Sequence, residues 1–380
     1  MKLRITSSPM PIIVTAVALV VAMNTLAFAA SGTWASTASL RNPRDGQTAT
    51  LLPNSNVVVA GGENNNGAIA STEVYSPVTS SWSNSGDLNT ARSGASALLL
   101  PSGSVLIAGG CISNCLGATT ATAELYSSAN GSWASTGSMA LARTYFGMVL
   151  LPTGKVLAVG GCTSLNSNGC AGVTAAAEVY DPSTGKWSST SPMRAARGNL
   201  TATLLPNGKV LVAGGINAAN NPLATAELYN PSTGKWTPTG SLNVARDEHT
   251  ATLLATGKVL AAGGENAAGV TTNRTELYNP STGKWAFTGN LNASRLEHTV
   301  TRLMNGNLLI AGGNNVTANG TKVLASAELY NPSTGAWTKT SSMSNARVGH
   351  SATLLSSGQV LAVAGSGANT ELSSAELYKP

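Results

Sequence analysis

The chain has 380 residues, of which 10% are charged and 42% hydrophobic, and its formal net charge is +6. Removal of Lys2 and Arg4, which lie in the N-terminal segment described next, lowers that charge to +4. So small an excess, with no basic run, argues against a nucleic-acid partner. Few charges and 41 glycines favour an exported all-β protein over a helical cytosolic enzyme.

The first thirty residues have the pattern of a secretory signal peptide. Two basic residues precede an apolar run from 10 to 23, and Ala27-x-Ala29 supplies a cleavage signal. An uncleaved membrane anchor is the alternative, but the apolar run is short for a span of about 20 residues. We therefore predict that 1–30 are removed. We expect 31–380 to form a single domain without a membrane span, secreted or held in the periplasm or at the cell surface.

The rest of the chain is a repeat of about 50 residues, a period typical of stacked architectures. Each unit places an Arg ten residues after a Trp and later a Glu-x-Tyr triplet, and in the first six units a Gly stands seventeen residues after the Arg. In those six units the next Trp follows the Tyr by seven residues. The tryptophans are Trp34, Trp82, Trp133, Trp187, Trp236, Trp285 and Trp337. The arginines are Arg44, Arg92, Arg143, Arg197, Arg246, Arg295 and Arg347.

Each unit contains four short strand-like runs, which must stack against neighbouring units to bury both faces, as propeller blades do. We expect Tyr and Trp to fill the space between blades, and the Gly-Gly to need positive φ or a close backbone approach. We expect the seven repeat Arg and seven repeat Glu to form structural ion pairs. Trp34 precedes the first unit and no Trp strand follows Tyr378, so the N-terminal strand should complete the last blade.

The order Arg, Gly-Gly, Tyr, Trp at this period resembles the kelch repeat, and the match extends from Trp34 to Tyr378. The resemblance implies an all-β fold: a seven-bladed β-propeller of four-stranded kelch blades, in the superfamily that includes the central domain of galactose oxidase. Ala364-Gly365 replaces Gly-Gly in the last unit, and the first two Tyr-to-Trp turns are poorer matches. These departures put local geometry in question.

Four cysteines form two local pairs, Cys111 with Cys115 and Cys162 with Cys170, and each pair opens directly after a Gly-Gly. In an exported chain such pairs favour disulfides, because the compartment is oxidising. A zinc site is the weaker alternative, since no His lies nearby in the sequence. We predict two local disulfides with little effect on global stability, because each closes a very short loop.

Loop lengths point to one face of the ring as the working face. Spacings are constant from Trp to Arg, from Arg to Gly and from Tyr to Trp, whereas all length variation lies between Gly-Gly and Glu. Binding residues tend to lie on such variable loops. We call this face, with the second-to-third-strand loops and the start of each inner strand, the GG rim. The opposite face, with the uniform first-to-second and third-to-fourth strand turns, is the turn rim.

Seven residues near the start of the inner strands are candidates for ligand binding at the GG rim. They are Tyr145, Phe146, Glu248, His249, Glu297, His298 and His350. The three histidines could hold a metal or simply belong to the repeat. Metal bonds of about 2 Å need side chains that converge on one point, and the strands of adjacent blades diverge, which disfavours the metal site. The two aromatic residues could form a stacking platform or fill the channel mouth.

The resemblance to galactose oxidase raises the question of an enzyme. That enzyme holds copper with two Tyr and two His, one Tyr being cross-linked to a Cys, but seven of the eight tyrosines here are repeat positions and no copper constellation carries over. The chain also lacks a Gly-x-Ser-x-Gly elbow, a phosphate loop and a His-Glu-x-x-His helix. We therefore predict a monomeric, non-enzymatic binding module without metal or cofactor, which contacts a protein or glycan. The alternative is a galactose-oxidase-like or metal-dependent enzyme.

Overall fold

The computed structural model describes residues 32–380 except 114, 116, 117 and 168, and its regular structure there is entirely β. The predicted signal peptide lies outside the described residues. The first strands are β1 (Thr33–Thr37), β2 (Thr48–Leu51), β3 (Val57–Ala60), β4 (Glu63–Asn64), β5 (Gly67–Ala68), β6 (Thr72–Ser76), β7 (Ser81–Asn84), β8 (Ser96–Leu99), β9 (Val105–Ala108), β10 (Ala123–Ser127), β11 (Ser132–Thr136), β12 (Gly147–Leu150), β13 (Val156–Val159), β14 (Cys162–Asn166), β15 (Gly169–Val173), β16 (Ala177–Asp181) and β17 (Lys186–Thr190).

The remaining strands are β18 (Thr201–Leu204), β19 (Val210–Ala213), β20 (Ala226–Asn230), β21 (Lys235–Thr239), β22 (Thr250–Leu253), β23 (Val259–Ala262), β24 (Thr275–Asn279), β25 (Lys284–Phe287), β26 (Thr299–Arg302), β27 (Leu308–Ala311), β28 (Asn314–Thr317), β29 (Gly320–Val323), β30 (Ala327–Asn331), β31 (Ala336–Lys339), β32 (Ser351–Leu354), β33 (Val360–Val363) and β34 (Ala375–Lys379). Across the described part of the chain, no helix has the length and apolarity needed to cross a membrane.

The strands form seven antiparallel four-stranded blades, as predicted. From the channel outward, blade 1 is β2-β3-β6-β7, blade 2 is β8-β9-β10-β11, blade 3 is β12-β13-β16-β17, blade 4 is β18-β19-β20-β21, blade 5 is β22-β23-β24-β25, blade 6 is β26-β27-β30-β31 and blade 7 is β32-β33-β34-β1. Each innermost strand contacts the innermost strands of both neighbouring blades, so the ring is closed. Three two-stranded hairpins, β4-β5, β14-β15 and β28-β29, extend from the GG rim.

The N-terminal strand closes the ring, which confirms the prediction from the offset of the first Trp. In blade 7, β1 pairs with β34, and Trp34 lies opposite Tyr378 in the ladder. The Trp34 indole also donates a 3.0 Å hydrogen bond to the Ser341 carbonyl. The first and last strands therefore belong to one sheet, which gives blade 7 the same four strands as the other blades.

One apolar cluster fills the space between each pair of adjacent blades. Between blades 3 and 4, for example, Val159 packs with Val210, Tyr229 and Trp236. The Tyr229 and Trp236 rings lie 5.0 Å apart, and the Tyr229 hydroxyl shares a 3.0 Å hydrogen bond with Thr190 of the preceding blade. The repeat aromatic residues thus fill the gaps between blades, as predicted.

Each repeat Arg is completely buried and pairs with the repeat Glu of its own unit at 2.6 to 3.3 Å. Arg246 shows the pattern, because its guanidinium donates to the carbonyls of Gly263 at 2.7 Å and Arg274 at 2.8 Å as well as to Glu276 at 2.8 Å. The Glu276 carboxylate also accepts the Asn243 amide at 2.7 Å. Each pair therefore ties the inter-blade connection, the Gly-Gly turn and the third strand together.

The first Gly of each Gly-Gly has a left-handed backbone and lies close to the backbone of the next blade. Gly214 has φ of 65°, and a Cβ there would lie 2.5 Å from the Arg246 carbonyl oxygen. In blade 7 Ala364 takes this position at φ of 60°. The departure seen in the sequence therefore keeps the backbone conformation of the other blades.

Candidate functional site

The channel mouth on the GG rim is surrounded by the residue two positions after each repeat Arg. All seven residues have left-handed φ between 50° and 62°, and Gly occupies the position in blades 1, 2 and 7. Blades 3 to 6 carry side chains there, namely Tyr145, Asn199, Glu248 and Glu297. Backbone hydrogen bonds join neighbours around the mouth, for example Asn199 to Tyr145 at 3.1 Å and Glu297 to Glu248 at 3.2 Å. A left-handed residue with a side chain costs about 1 to 2 kcal/mol, and such strain concentrates at functional sites.

These four side chains line one cavity of about 450 Å³, which we call the mouth cavity. Six of the seven candidate residues line it: Tyr145, Phe146, Glu248, His249, Glu297 and His298. The seventh candidate, His350, does not line the cavity. Asn199 was missed by the sequence reasoning, although a comparison of the residues after each repeat Arg would have found it.

The three histidines occupy equivalent buried positions between blades. The Nε2 atom of His249 lies 3.2 Å from the Thr201 hydroxyl of the preceding blade, and His298 and His350 make equivalent hydrogen bonds at 3.0 Å. Burial lowers the pKa of His249 and of His350 to about 3, and it lowers that of His298 well below the ordinary value. Each imidazole is therefore neutral and joins two blades.

The two aromatic candidates have different environments. Phe146 is 6% exposed and packs in the cluster between blades 2 and 3, so it fills the core. Tyr145 is 40% exposed, and its ring lies across the neighbouring blade, where a Cβ on Gly94 would lie 2.8 Å from it. Burial, with nearby carboxylates including Glu63 and Glu297, raises the pKa of Tyr145, so its hydroxyl stays protonated. Tyr145 alone of this pair offers a ring surface at the mouth.

The GG rim concentrates negative charge. Nine of the sixteen acidic residues are not repeat glutamates, and seven of those nine follow a repeat Arg or lie in a Gly-Gly loop. They are Asp45, Glu63, Asp247, Glu248, Glu265, Glu297 and Glu371. The sequence reasoning singled out only Glu248 and Glu297 from this group. Antiparallel bridges between 45 and 63 and between 247 and 265 bring the two chain segments of the rim together.

Burial, with the charge of neighbouring carboxylates, raises the pKa of five of these residues: Asp45, Glu63, Asp247, Glu248 and Glu297. Desolvation, then the charge of Glu265, raises the pKa of Asp247 to about 7. Desolvation, then the charge of Glu297, raises the pKa of Glu248 well above its ordinary value. Asn199 donates a 3.2 Å hydrogen bond to Glu248, the one amide contact at this carboxylate among the described residues. The mouth therefore gains uncompensated negative charge as the pH rises.

We expect Asp247→Asn to stabilise the protein above neutral pH and to leave it unchanged near pH 4. A raised carboxyl pKa means that the folded state holds the proton more tightly, so ionisation costs stability increasingly between about pH 4 and pH 7. We expect a gain of about 2 kcal/mol at pH 8, about half of what the full shift would give. Thermal unfolding at both pH values measures it. An equal gain at both values would contradict the account, and Asp181→Asn on the turn rim should give none.

Both predicted disulfides are present. The bonds join Cys111 to Cys115 with a Cα separation of 4.9 Å and Cys162 to Cys170 with one of 5.3 Å. The two bonds pack together with Leu165 and Ile216 in a small apolar cluster on the GG rim. Leu165 and Cys170 also line the mouth cavity, so the loop closed by the second bond forms one of its walls.

The resemblance to galactose oxidase noted in the sequence raises the question of a copper site, and the residues present do not fit that enzyme's set of two Tyr and two His. Among the described residues, the one group of potential metal ligands within 4.8 Å is Glu63 with Cys111 and Cys115, whose two sulfurs are bonded to each other. The three imidazoles each bond a Thr of the preceding blade, and the repeat tyrosines stack on tryptophans between blades. Tyr145, His249 and His298 line the mouth cavity, but the Nε2 atom of each of these two imidazoles is hydrogen-bonded to a Thr of the preceding blade, and no second Tyr of the described residues lines the cavity.

Comparison with known proteins agrees with the repeat. The model of the Kelch motif matches residues 142–194, 199–243 and 298–344. No curated protein matches this sequence. Among solved structures, a fungal alcohol oxidase of the AA5 family in complex with copper has a TM-score of 0.72 and 18% identity, covering 92% of this chain and 76% of that chain. At that identity the likeness shows the fold alone. The chain is a seven-bladed β-propeller, and three stretches of it match the Kelch motif.

Proposed function

We propose that the protein is an exported, monomeric, non-enzymatic binding module that holds a protein or glycan ligand on its GG rim. The kelch propeller fold supports a binding role. The proposal rests on the left-handed backbone of Tyr145, Asn199, Glu248 and Glu297. Four adjacent blades keep a residue with a side chain at this strained position around one cavity, whereas the other three blades have Gly there. Two disulfides favour an oxidising, extracellular setting, and the N-terminal pattern supports export.

An oxidase is the second candidate, favoured by the fold likeness to a copper alcohol oxidase. Fold likeness does not transfer an activity, and the donor set described above argues against copper. Metal analysis of the purified protein, followed by an alcohol oxidation assay in added copper, separates the two candidates. Stoichiometric copper with turnover would replace the binding proposal.

We expect that exchanging the 162–177 loop for the shorter 216–226 loop will weaken ligand binding and leave the fold intact. The longer loop carries Leu165 and Cys170 of the cavity wall, whereas surface loop length has a modest entropic effect on stability. The ligand is first identified on an array of glycans and cell-surface proteins, and retention and thermal unfolding of the variant are then measured. Lys235→Ser on the turn rim is the matched control. Binding lost in the control and kept in the loop variant would contradict the proposal.

A further inference from the structure

We propose that the mouth cavity binds a primary ammonium group, carried by an amino sugar or by a lysine side chain. This inference rests on the function proposed above and specifies the chemistry of its ligand. An ammonium group offers three hydrogen-bond donors and a positive charge in a small volume.

The cavity presents acceptors without matching cations. Glu248 and Glu297 come from adjacent blades and both line it, joined by the 3.2 Å backbone hydrogen bond between them. In the described part of the chain, every ion pair involves either a repeat Arg or Lys155. Two carboxylates and the exposed Tyr145 ring therefore surround the cavity with no internal counter-ion.

A second observation, independent of the two glutamates, is a buried acceptor without a donor. Asp247 is 6% exposed, and its Oδ1 atom has no hydrogen-bond partner among the described residues. Asp247 lies directly behind the cavity lining: its side chain contacts Asn199 and is repelled by the charge of Glu265 and, less strongly, by that of Glu297, and Asn199 and Glu297 both line the mouth cavity. A buried carboxylate oxygen without a donor is costly, and a cation in the cavity would reduce that cost.

The spacing of the acidic groups favours an organic cation over a metal ion. Calcium takes six to eight oxygens at about 2.3 to 2.6 Å, which requires carboxylates that converge. No three carboxylate groups of the described residues each place an oxygen within 4.8 Å of the other two. An ammonium group can instead contact carboxylates on separate blades, and the face of the Tyr145 ring adds a cation–π contact.

The charge distribution over the molecule agrees with such a ligand. Six of the ten lysines lie at turns of the turn rim: Lys155, Lys186, Lys209, Lys235, Lys258 and Lys284. The seven acidic residues of the GG rim named above lie on the opposite face. A field of this polarity draws a cationic group toward the mouth cavity and away from the turn rim.

The test is calorimetric titration of the protein with four probes: a glucosamine trimer, its N-acetylated counterpart, trilysine and acetylated trilysine. We expect at least one amine probe to bind, with its acetylated form weaker by about tenfold or more. The amine probe that binds more tightly identifies the source of the ammonium group. Glu297→Gln should weaken that binding by a similar factor, whereas Asp181→Asn on the turn rim should not change it.

Three results would overturn the inference. They are equal binding of acetylated and free probes, no binding of either amine at about 1 mM, and stoichiometric calcium binding that Glu297→Gln abolishes. A neutral array ligand that is lost on exchange of the 162–177 loop would overturn this inference and leave the proposed function standing. Amine binding that survives Glu297→Gln but is lost in Lys235→Ser would contradict both.

Discussion

Replacement of Arg246 by Met is expected to lower the free energy of unfolding by about 3 to 5 kcal/mol. The substitution leaves the buried Glu276 carboxylate without its cation and removes the donors to the Gly263 and Arg274 carbonyls. An uncompensated buried charge is among the most destabilising local defects in a protein. Urea unfolding followed by tryptophan fluorescence measures the change.

Two further variants make this prediction specific. Arg194→Met removes an exposed arginine and should cost less than about 0.5 kcal/mol. Adding Glu276→Gln to Arg246→Met should cost less than the sum of the two single changes, because the residues act as one unit. Equal effects of Arg194→Met and Arg246→Met would show that the buried ion pairs do not hold the blades.

Deletion of residues 31–40 is expected to lower stability by about 5 kcal/mol or more and to cause aggregation. The deletion removes β1, exposes the edge of β34 and takes Trp34 from its partner Tyr378. It also removes Thr37, which shares a 2.9 Å hydrogen bond with Tyr75 of blade 1. Thermal unfolding and size-exclusion chromatography measure the two effects.

A circular permutant is the matched control for the deletion. Thr33 lies opposite Lys379, and in blade 4 the six residues 230–235 connect the equivalent Tyr and Trp. Joining Tyr378 to Trp34 through that same turn sequence, with the chain opened after Leu40, restores the complete blade. The permutant should recover the stability of the parent. A truncated protein as stable and soluble as the parent would contradict closure of the ring by β1.

The fold was predictable because the same structural residues recur at the same spacing in seven units. The Arg, the Gly-Gly and the Tyr-Trp pair each have the same structural role in every blade. The number of repeats in the sequence therefore predicts the number of blades in the ring. The position of Trp34 before the first Arg was enough to predict how that ring closes. These interactions recur at fixed sequence spacings, so they can be recognised from the sequence.

The site was less predictable because it depends on the differences between the repeats. Glu248 and Glu297 were found through the histidines beside them, whereas Asn199 and Asp247 carry no motif. The acidic character of the mouth arises when the ring brings residues about 200 positions apart to one face. Phe146 lines the mouth cavity and also packs in the cluster between blades 2 and 3, and its position in the sequence does not reveal this second contact.

Hydrogen exchange with and without bound ligand tests most directly the claim that the GG rim is the working face. The probe is the array ligand that binds most tightly, mixed with the mature protein. We predict protection at 144–146, 198–200, 247–250 and 296–298, and along the 162–177 loop. Protection confined to the turns at 181–186, 230–235 and 279–284 would contradict the account, because those residues lie on the opposite face of the propeller.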